Sequence, residues 1–335
     1  MITATPSERD VLIVIPALNE ARHIERVLTF ASAFAARVNG LVIVTDGGSD
    51  DATCDIVRRR ASGDPLVRLI DNPARLQSAG VNLAVANFGD RVEWLLRLDA
   101  HSQYPNDYGD ILLAEAQQHG ADSVVVSMHA EGQGFLQQVV ADAQNSRLGN
   151  GGSAHRLFGE GTWVDHGHHA LMRIDAFRAV GGYDDQFSHN EDAELDHRLR
   201  AAGHRIWLTG RTSLTYFPRS RIGPLIRQYY NFGRGRARNL LKNKTRPAAR
   251  QAVVAMLAPA LALVLFTPIS WAFALPLVLW MLACFAGGVM IALQTGRPRG
   301  LLAGLIAGIM HMAWSAGFWR HWLARRPVGT EKSTA

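Results

Sequence analysis

Residues 95–105, LLRLDAHSQYP, close an apolar run with Asp99 and, two positions on, His101. A carboxylate and an imidazole at that spacing can hold a divalent cation, and they can equally be the polar end of a buried strand. Two other apolar runs end in a similar way. Val11–Ile15 leads into IPALNE, with Pro16, Asn19 and Glu20, and Leu41–Val44 leads into TDGGSDDAT, with Asp46 first among its acids. Each has a plainer use, Asn19 as a helix N-cap and Asp46-Gly47-Gly48 as a turn. Ligands in an open parallel sheet bind beyond the carboxyl ends of the strands, so if these three strands are neighbours their loaded ends meet in one crevice. Further on, Glu191-Asp192 opens a helical pattern. Acids there favour the helix dipole, and one of them can also take a proton from a substrate hydroxyl. The run Asp165-His166-Gly167-His168-His169 offers adjacency and alternation rather than the spacing of a zinc site, and reads as pocket lining or a loop anchor.

The elements that would position these residues follow from hydrophobic periodicity. Strands are expected at 11–15, 41–44, 67–70, 94–98 and 124–128. Helices are expected at 20–34, 52–60 and 78–86, which is the alternation of a parallel sheet with covering helices. Residues 131–162 are rich in Gly, Gln, Asn and Ser and read as a loop. A strand at 170–173, a helix at 174–180 stopped by Gly181-Gly182, a helix at 191–202 and a closing strand at 206–208 complete the soluble part.

From Gln251 to Phe318 the only charges are Arg297 and Arg299, a membrane composition joined to a soluble one. The formal net charge of +6 is unevenly placed. Residues 1–218 carry 28 acids against 19 Lys and Arg, whereas 219–250 carry ten Lys and Arg and no acid. The basic excess therefore lies beside the apolar segments, where it suits anionic lipid head groups and the cytoplasmic side, and nucleic acid is not an expected partner. The apolar part breaks at Pro268 and at Gly296–Gly300. This leaves two to three transmembrane or interfacial helices, whose number the positive-inside rule leaves open. Cys54 and Cys284 suit a reducing compartment. The opening MITATPSERD lacks the pattern of a secretory signal, so the soluble part is expected in the cytoplasm.

The combination VIPALNE, TDGGSDDAT, DAH and GGYDDQFSHNEDAELDHRLRAAGHRIW, in that order, resembles the family 2 glycosyltransferases. The details DAH, VDHGHHAL and SHNEDAELDHRLR further resemble exopolysaccharide enzymes of the succinoglycan type. The resemblance covers about residues 10 to 238. It implies an α/β protein of the GT-A (nucleotide-diphospho-sugar transferase) fold, with a mainly parallel central sheet followed by C-terminal transmembrane helices. The domains expected are a cytoplasmic catalytic domain at 1–218, a basic membrane-proximal neck at 219–250, membrane helices at 251–322 and a polar tail at 323–335. Pro16, Asn19, Glu20, Asp46 and Asp99 are then expected to line the nucleotide-sugar site, with Arg75 near the phosphates. Asp46 would accept the uracil N–H. DAH stands where the family has Asp-any-Asp, so Asp99 and His101 would hold Mn²⁺ or Mg²⁺, and the imidazole leans towards Mn²⁺. Asp192 would be the catalytic base of an inverting transfer, with the catalytic Glu191 orienting it or touching the sugar.

The expected donor is a UDP-sugar, with glucose favoured. The expected acceptor is a polyprenyl-diphosphate-linked saccharide, and the place is a bacterial inner membrane. Arg234 and Arg236 could bind product diphosphate or a lipid phosphate. The rival readings are transfer to polyprenyl phosphate and a catalytically silent sensor of sugar nucleotides. Gln228-Tyr229-Tyr230-Asn231-Phe232 departs from the Gln-any-any-Arg-Trp motif of the processive members.

Overall fold

The computed structural model describes residues 9–151 and 161–324. Residues 1–8 and 325–335, hence the start of the chain and most of the polar tail, lie outside the described residues. The chain forms two compact units, one from residues up to 131 plus 152–218, the other from 132–151 plus 219 onward.

The first unit begins as the periodicity predicts. Strand β1 (Arg9–Ala17) is followed by α1 (Ile24–Arg37), β2 (Leu41–Asp46), α2 (Thr53–Gly63), β3 (Val67–Asp71), α3 (Gln77–Phe88) and β4 (Val92–Arg97). These four strands are parallel, in the order β3-β2-β1-β4. Val11–Ile15 and Leu41–Val44 are buried throughout, as strands covered on both faces must be. After α4 (Tyr108–His119) the sheet becomes mixed. Strands β5 (Ser123–Ala130), β6 (Thr162–Trp163), β7 (His168–Arg173) and β8 (Ile206–Tyr216) complete eight strands ordered β3-β2-β1-β4-β7-β5-β8-β6. β7 runs antiparallel between β4 and β5, so its first residue lies at the end of the sheet where β4 terminates. Helices α5 (Phe135–Asn145), α6 (Arg147–Asn150), α7 (Ile174–Ala179) and α8 (Glu191–Ala201) fall in this half of the sequence.

The second unit corrects the expectation of a loop across 131–162. Residues 135–145 and 147–150 are helical, and Leu136, Val139, Val140 and Ala143 of α5 pack on an apolar helix near the C-terminus. The polar residues between them masked that stripe. Residues 152–160 of the same stretch lie outside the described residues. The basic neck forms α9 (Ile222–Lys242), followed by α10 (Ala249–Ala255), α11 (Leu257–Leu263), α12 (Leu275–Thr295) and α13 (Gly300–Leu323). α9 crosses α13 where a Cβ on Gly233 or Gly317 would collide with the backbone of Trp314 or Tyr230, respectively. Arg299, one of the two charges in the apolar stretch, is ion-paired with Asp142 of α5 at 2.6 Å. Among the described residues, three segments are long and apolar enough to cross a membrane: Ala249–Phe266, Trp271–Thr295 and Gly300–Leu323.

Candidate active site

Beyond β1 and β2 the two polar loops are tied to each other. Asn19, in the left-handed region at φ 58°, accepts a hydrogen bond from the Asp50 amide at 2.9 Å. Its own amide donates to Ser49 Oγ at 2.9 Å. The Glu20 amide donates to Thr53 Oγ1 at 2.8 Å, and Asp51 accepts from the amides of Ala21 and Thr53. Pro16 sits in β1 opposite Thr45 of β2. Asp46 is buried, with Oδ2 accepting from the amides of Gly48 and Ser49 at 2.9 Å each and Oδ1 accepting from Ser49 Oγ at 2.5 Å. Burial pushes the Asp46 carboxyl up, but the Ser49 hydroxyl and amide, with smaller help from Cys54 and Gly48, outweigh it and leave it below the usual range. Arg75 closes the loop from outside, its Nε donating to the Gly47 carbonyl at 2.8 Å.

The second cluster lies where β4 ends. Arg97 has a side chain only 1% exposed. Its Nη1 donates to Asp192 Oδ1 at 2.6 Å and its Nη2 to Oδ2 at 3.1 Å. Nη1 also donates to Tyr183 Oη at 2.8 Å, and the Tyr183 hydroxyl donates to Asp192 Oδ1 at 3.0 Å. His168, first residue of β7, stands between two carboxylates, with Nε2 3.3 Å from Asp99 Oδ2 and Nδ1 3.7 Å from Asp192 Oδ2. Gln77 Nε2 donates to Asp99 Oδ1 at 3.2 Å. Burial disfavours an ionised Asp99, yet His168 above all, then Arg97 and His101, hold its carboxyl well below the ordinary range. Glu191 moves the other way, raised first by burial and then by the neighbouring Asp192 charge. Asp192 and Asp196 lie one helical turn apart on α8. Asp196 accepts from the Gly167 amide at 3.2 Å and meets His166 Nδ1 at 2.9 Å, which fixes the chain leading to His168.

A connected set of contacts thus joins the three loaded strand ends to the start of α8. Asp99 and His101 face different partners, for His101 Nδ1 lies 2.9 Å from Glu20 Oε1. Arg75 engages loop carbonyls, and both Asp46 oxygens are engaged by its own loop. Among the described residues no three His, Cys, Asp or Glu side chains are gathered as a metal cage. The ionised Asp99 is the carboxylate here suited to a hard or borderline cation, which would take most of its ligands from phosphate oxygens and water, while the His101 imidazole lies against Glu20. Sequence reasoning overlooked Arg97, Tyr183 and Gln77. A lone Arg inside the apolar run WLLRL was a usable signal for the first, whereas nothing local marks the other two.

The glycosyl transferase family 2 model matches residues 12–181. The succinoglycan biosynthesis protein ExoA of Rhizobium meliloti (strain 1021) is 50% identical over 322 residues, 96% of each chain. Among solved structures, the mannosyltransferase PcManGT from Pyrobaculum calidifontis, in complex with GDP-Man and Mn²⁺, superposes with a TM-score of 0.57 at 18% identity. That match covers 94% of this chain and 88% of the other. S. aureus TarS 1–349 superposes with a TM-score of 0.50 at 14% identity, over 95% and 93% of the two chains. At these identities the structures establish the fold alone, and that fold is GT-A.

Proposed function

Since the chain belongs to glycosyl transferase family 2 and is a glycosyltransferase, we propose that it moves a hexose, with glucose favoured, from a UDP-sugar to a polyprenyl-diphosphate-linked saccharide. The transfer inverts the anomeric centre and belongs to exopolysaccharide assembly. The relative named for succinoglycan biosynthesis, half identical along almost the whole chain, supports that setting. The three apolar segments and the basic, acid-free stretch before them support a catalytic domain held on the cytoplasmic face of an inner membrane, where a lipid-linked acceptor is presented.

One observation carries the reading: a single imidazole ring, His168, separates Asp99 from Asp192. The first carboxylate lies just beyond the end of a central strand, the place for a nucleotide, and the second stands in the first turn of the helix α8. In the reaction the acceptor hydroxyl oxygen forms a bond to the anomeric carbon as the bond from that carbon to the phosphate oxygen breaks. The electron pair leaves with the nucleoside diphosphate, and Asp192 takes the hydroxyl proton. A direct displacement with one base inverts configuration. Asp99 and His101 would hold a divalent cation, which when bound offsets the charge growing on the diphosphate. Asn19, Glu20 and the loop built on Asp46 and Arg75 would receive the nucleoside. Asp46 can meet a base N–H only by exchanging one of its loop hydrogen bonds, so its larger role here is to shape that loop. Glu191, raised by its surroundings, would touch the sugar or orient its neighbour.

The test is UDP release by the detergent-purified protein with a panel of UDP-sugars, with a polyprenyl-diphosphate saccharide as acceptor. Mn²⁺, Mg²⁺ or EDTA would be added in turn, and Asp99→Ala and Asp192→Asn run alongside. Acceptor-dependent release from one donor, lost with EDTA and in Asp99→Ala and lowered at least about 100-fold in Asp192→Asn, is the expected result. Turnover undiminished in Asp192→Asn removes the base assignment, and turnover indifferent to EDTA removes the metal.

A further inference from the structure

Arg97 stands on β4 two residues before Asp99 and holds Asp192, a residue 95 positions away. Its fork grips both oxygens of the Asp192 carboxylate, at 2.6 and 3.1 Å. A two-point contact of this kind fixes the plane of a carboxylate, which a single donor cannot do. Tyr183 braces the same pair, touching Arg97 at 2.8 Å and Asp192 at 3.0 Å. The remaining guanidinium nitrogen, Nε, is buried without a hydrogen-bond partner and lies 3.9 Å from Asp99 Oδ1. A charge this deep is expensive unless it is matched, and here the match is shared between the two carboxylates of the transfer reaction.

We propose, resting on Asp192 as the base, that Arg97 is its positioning residue. One guanidinium orients the acceptor-side carboxylate and ties that orientation to the donor-side carboxylate, so that base and leaving group stand in one rigid frame. An Asp at the first turn of a helix can turn about its own side-chain bonds, and proton removal from a hydroxyl attacking a fixed carbon tolerates little misplacement. Arg97 and Tyr183 remove that freedom from the side away from solvent.

The experiment is a double-mutant cycle of Arg97→Lys and Asp192→Asn in the full-length protein, with kcat, KM for the nucleotide sugar and UDP affinity by calorimetry measured for each. Arg97→Lys keeps the charge and loses the fork. It is expected to lower kcat by about 100-fold, within the range general-base catalysis supplies. KM and UDP affinity should stay within about threefold of wild type, and its further cost in the Asp192→Asn background should be below about threefold, because residues acting as a unit are not additive. A purely structural Arg97 would move UDP affinity along with kcat. Wild-type kcat in Arg97→Lys, or fully additive losses in the double variant, overturns the proposal. Full turnover in Asp192→Asn sinks the base reading instead, whatever Arg97 does. If Arg97→Lys does not yield folded, UDP-binding protein, Tyr183→Phe takes its place in the cycle. That variant keeps the guanidinium, and about a tenfold loss of kcat with the same non-additivity is expected.

Discussion

Asp46 ends one parallel strand and Asp99 lies two residues beyond another, and both carboxyls are held below their ordinary range against burial. The agents differ. Asp46 is stabilised by the hydroxyl and amide of Ser49, with smaller help from Cys54 and Gly48, all from the same loop and the start of the helix after it. Asp99 is stabilised by His168 and Arg97, of which only Arg97 is its neighbour in sequence, and Arg97 is itself neutralised by Asp192. The first site is a loop that solvates its own acid, and damage there should stay local. The second is a knot of charges from β4, β7 and α8, in which removing one member strands the others.

That contrast sets the order of expected effects. Arg97→Ala removes the guanidinium that neutralises a carboxylate in a mostly buried site and should cost about 3–5 kcal/mol. Arg75→Ala, on the exposed loop, should cost about 1 kcal/mol or less. Thermal unfolding in detergent, followed by tryptophan fluorescence, compares the two, and equal losses would abolish the distinction. Tyr183→Phe removes a hydroxyl shared by Arg97 and Asp192 and should cost about 1–2 kcal/mol, with the midpoint shift again as the measure. Ser49→Ala deletes a donor to Asp46 and the acceptor of the Asn19 amide, and about 1 kcal/mol is expected. Weaker UDP binding by that variant, with catalysis per bound donor little changed, would sharpen the separation.

Glu191 adds an effect whose pH dependence runs opposite to that of the two aspartates. Burial and Asp192 raise the Glu191 carboxyl, to about 7. The folded protein therefore keeps a proton there that the unfolded chain has released above its ordinary value of 4.5. Its contribution is present below 4.5 and is lost as pH rises through about 7. Glu191→Gln should accordingly raise the unfolding midpoint over wild type by about 5 °C at pH 8 and change it little at pH 4. Asp46 and Asp99 carry the opposite sign, for their stabilisation is present at neutral pH and fades in acid. A gain from Glu191→Gln that is the same at both pH values would mean that the site does not hold this proton.

Much of the first half was legible before any tertiary contact was known. The alternation of apolar runs and helical stripes up to residue 98 predicts the parallel strands closely, because strands buried on both faces must be apolar throughout. The loops IPALNE and TDGGSDDAT were legible for the same local reason. The second half was read less well. The stretch 135–150 reads as a loop because Gln137, Gln138, Asp142, Gln144 and Asn145 interrupt the apolar residues of α5, and the stripe Leu136-Val139-Val140-Ala143 acquires meaning only once α13 covers it. Arg97 lay inside a run already assigned to a buried strand, where its charge should have demanded a partner.

The sequence by itself determined the fold class, the family and the self-solvated loop around Asp46, since these rest on periodicity and on donors a few residues away. Only the tertiary structure decided that Asp192 is held by Arg97 and Tyr183, and that His168 rather than His101 stands against Asp99. A buried charge will accept any partner of suitable sign and geometry. Which one it receives depends on the path that brings β7 back between β4 and β5 and sets α8 beside them, and no local pattern encodes that path.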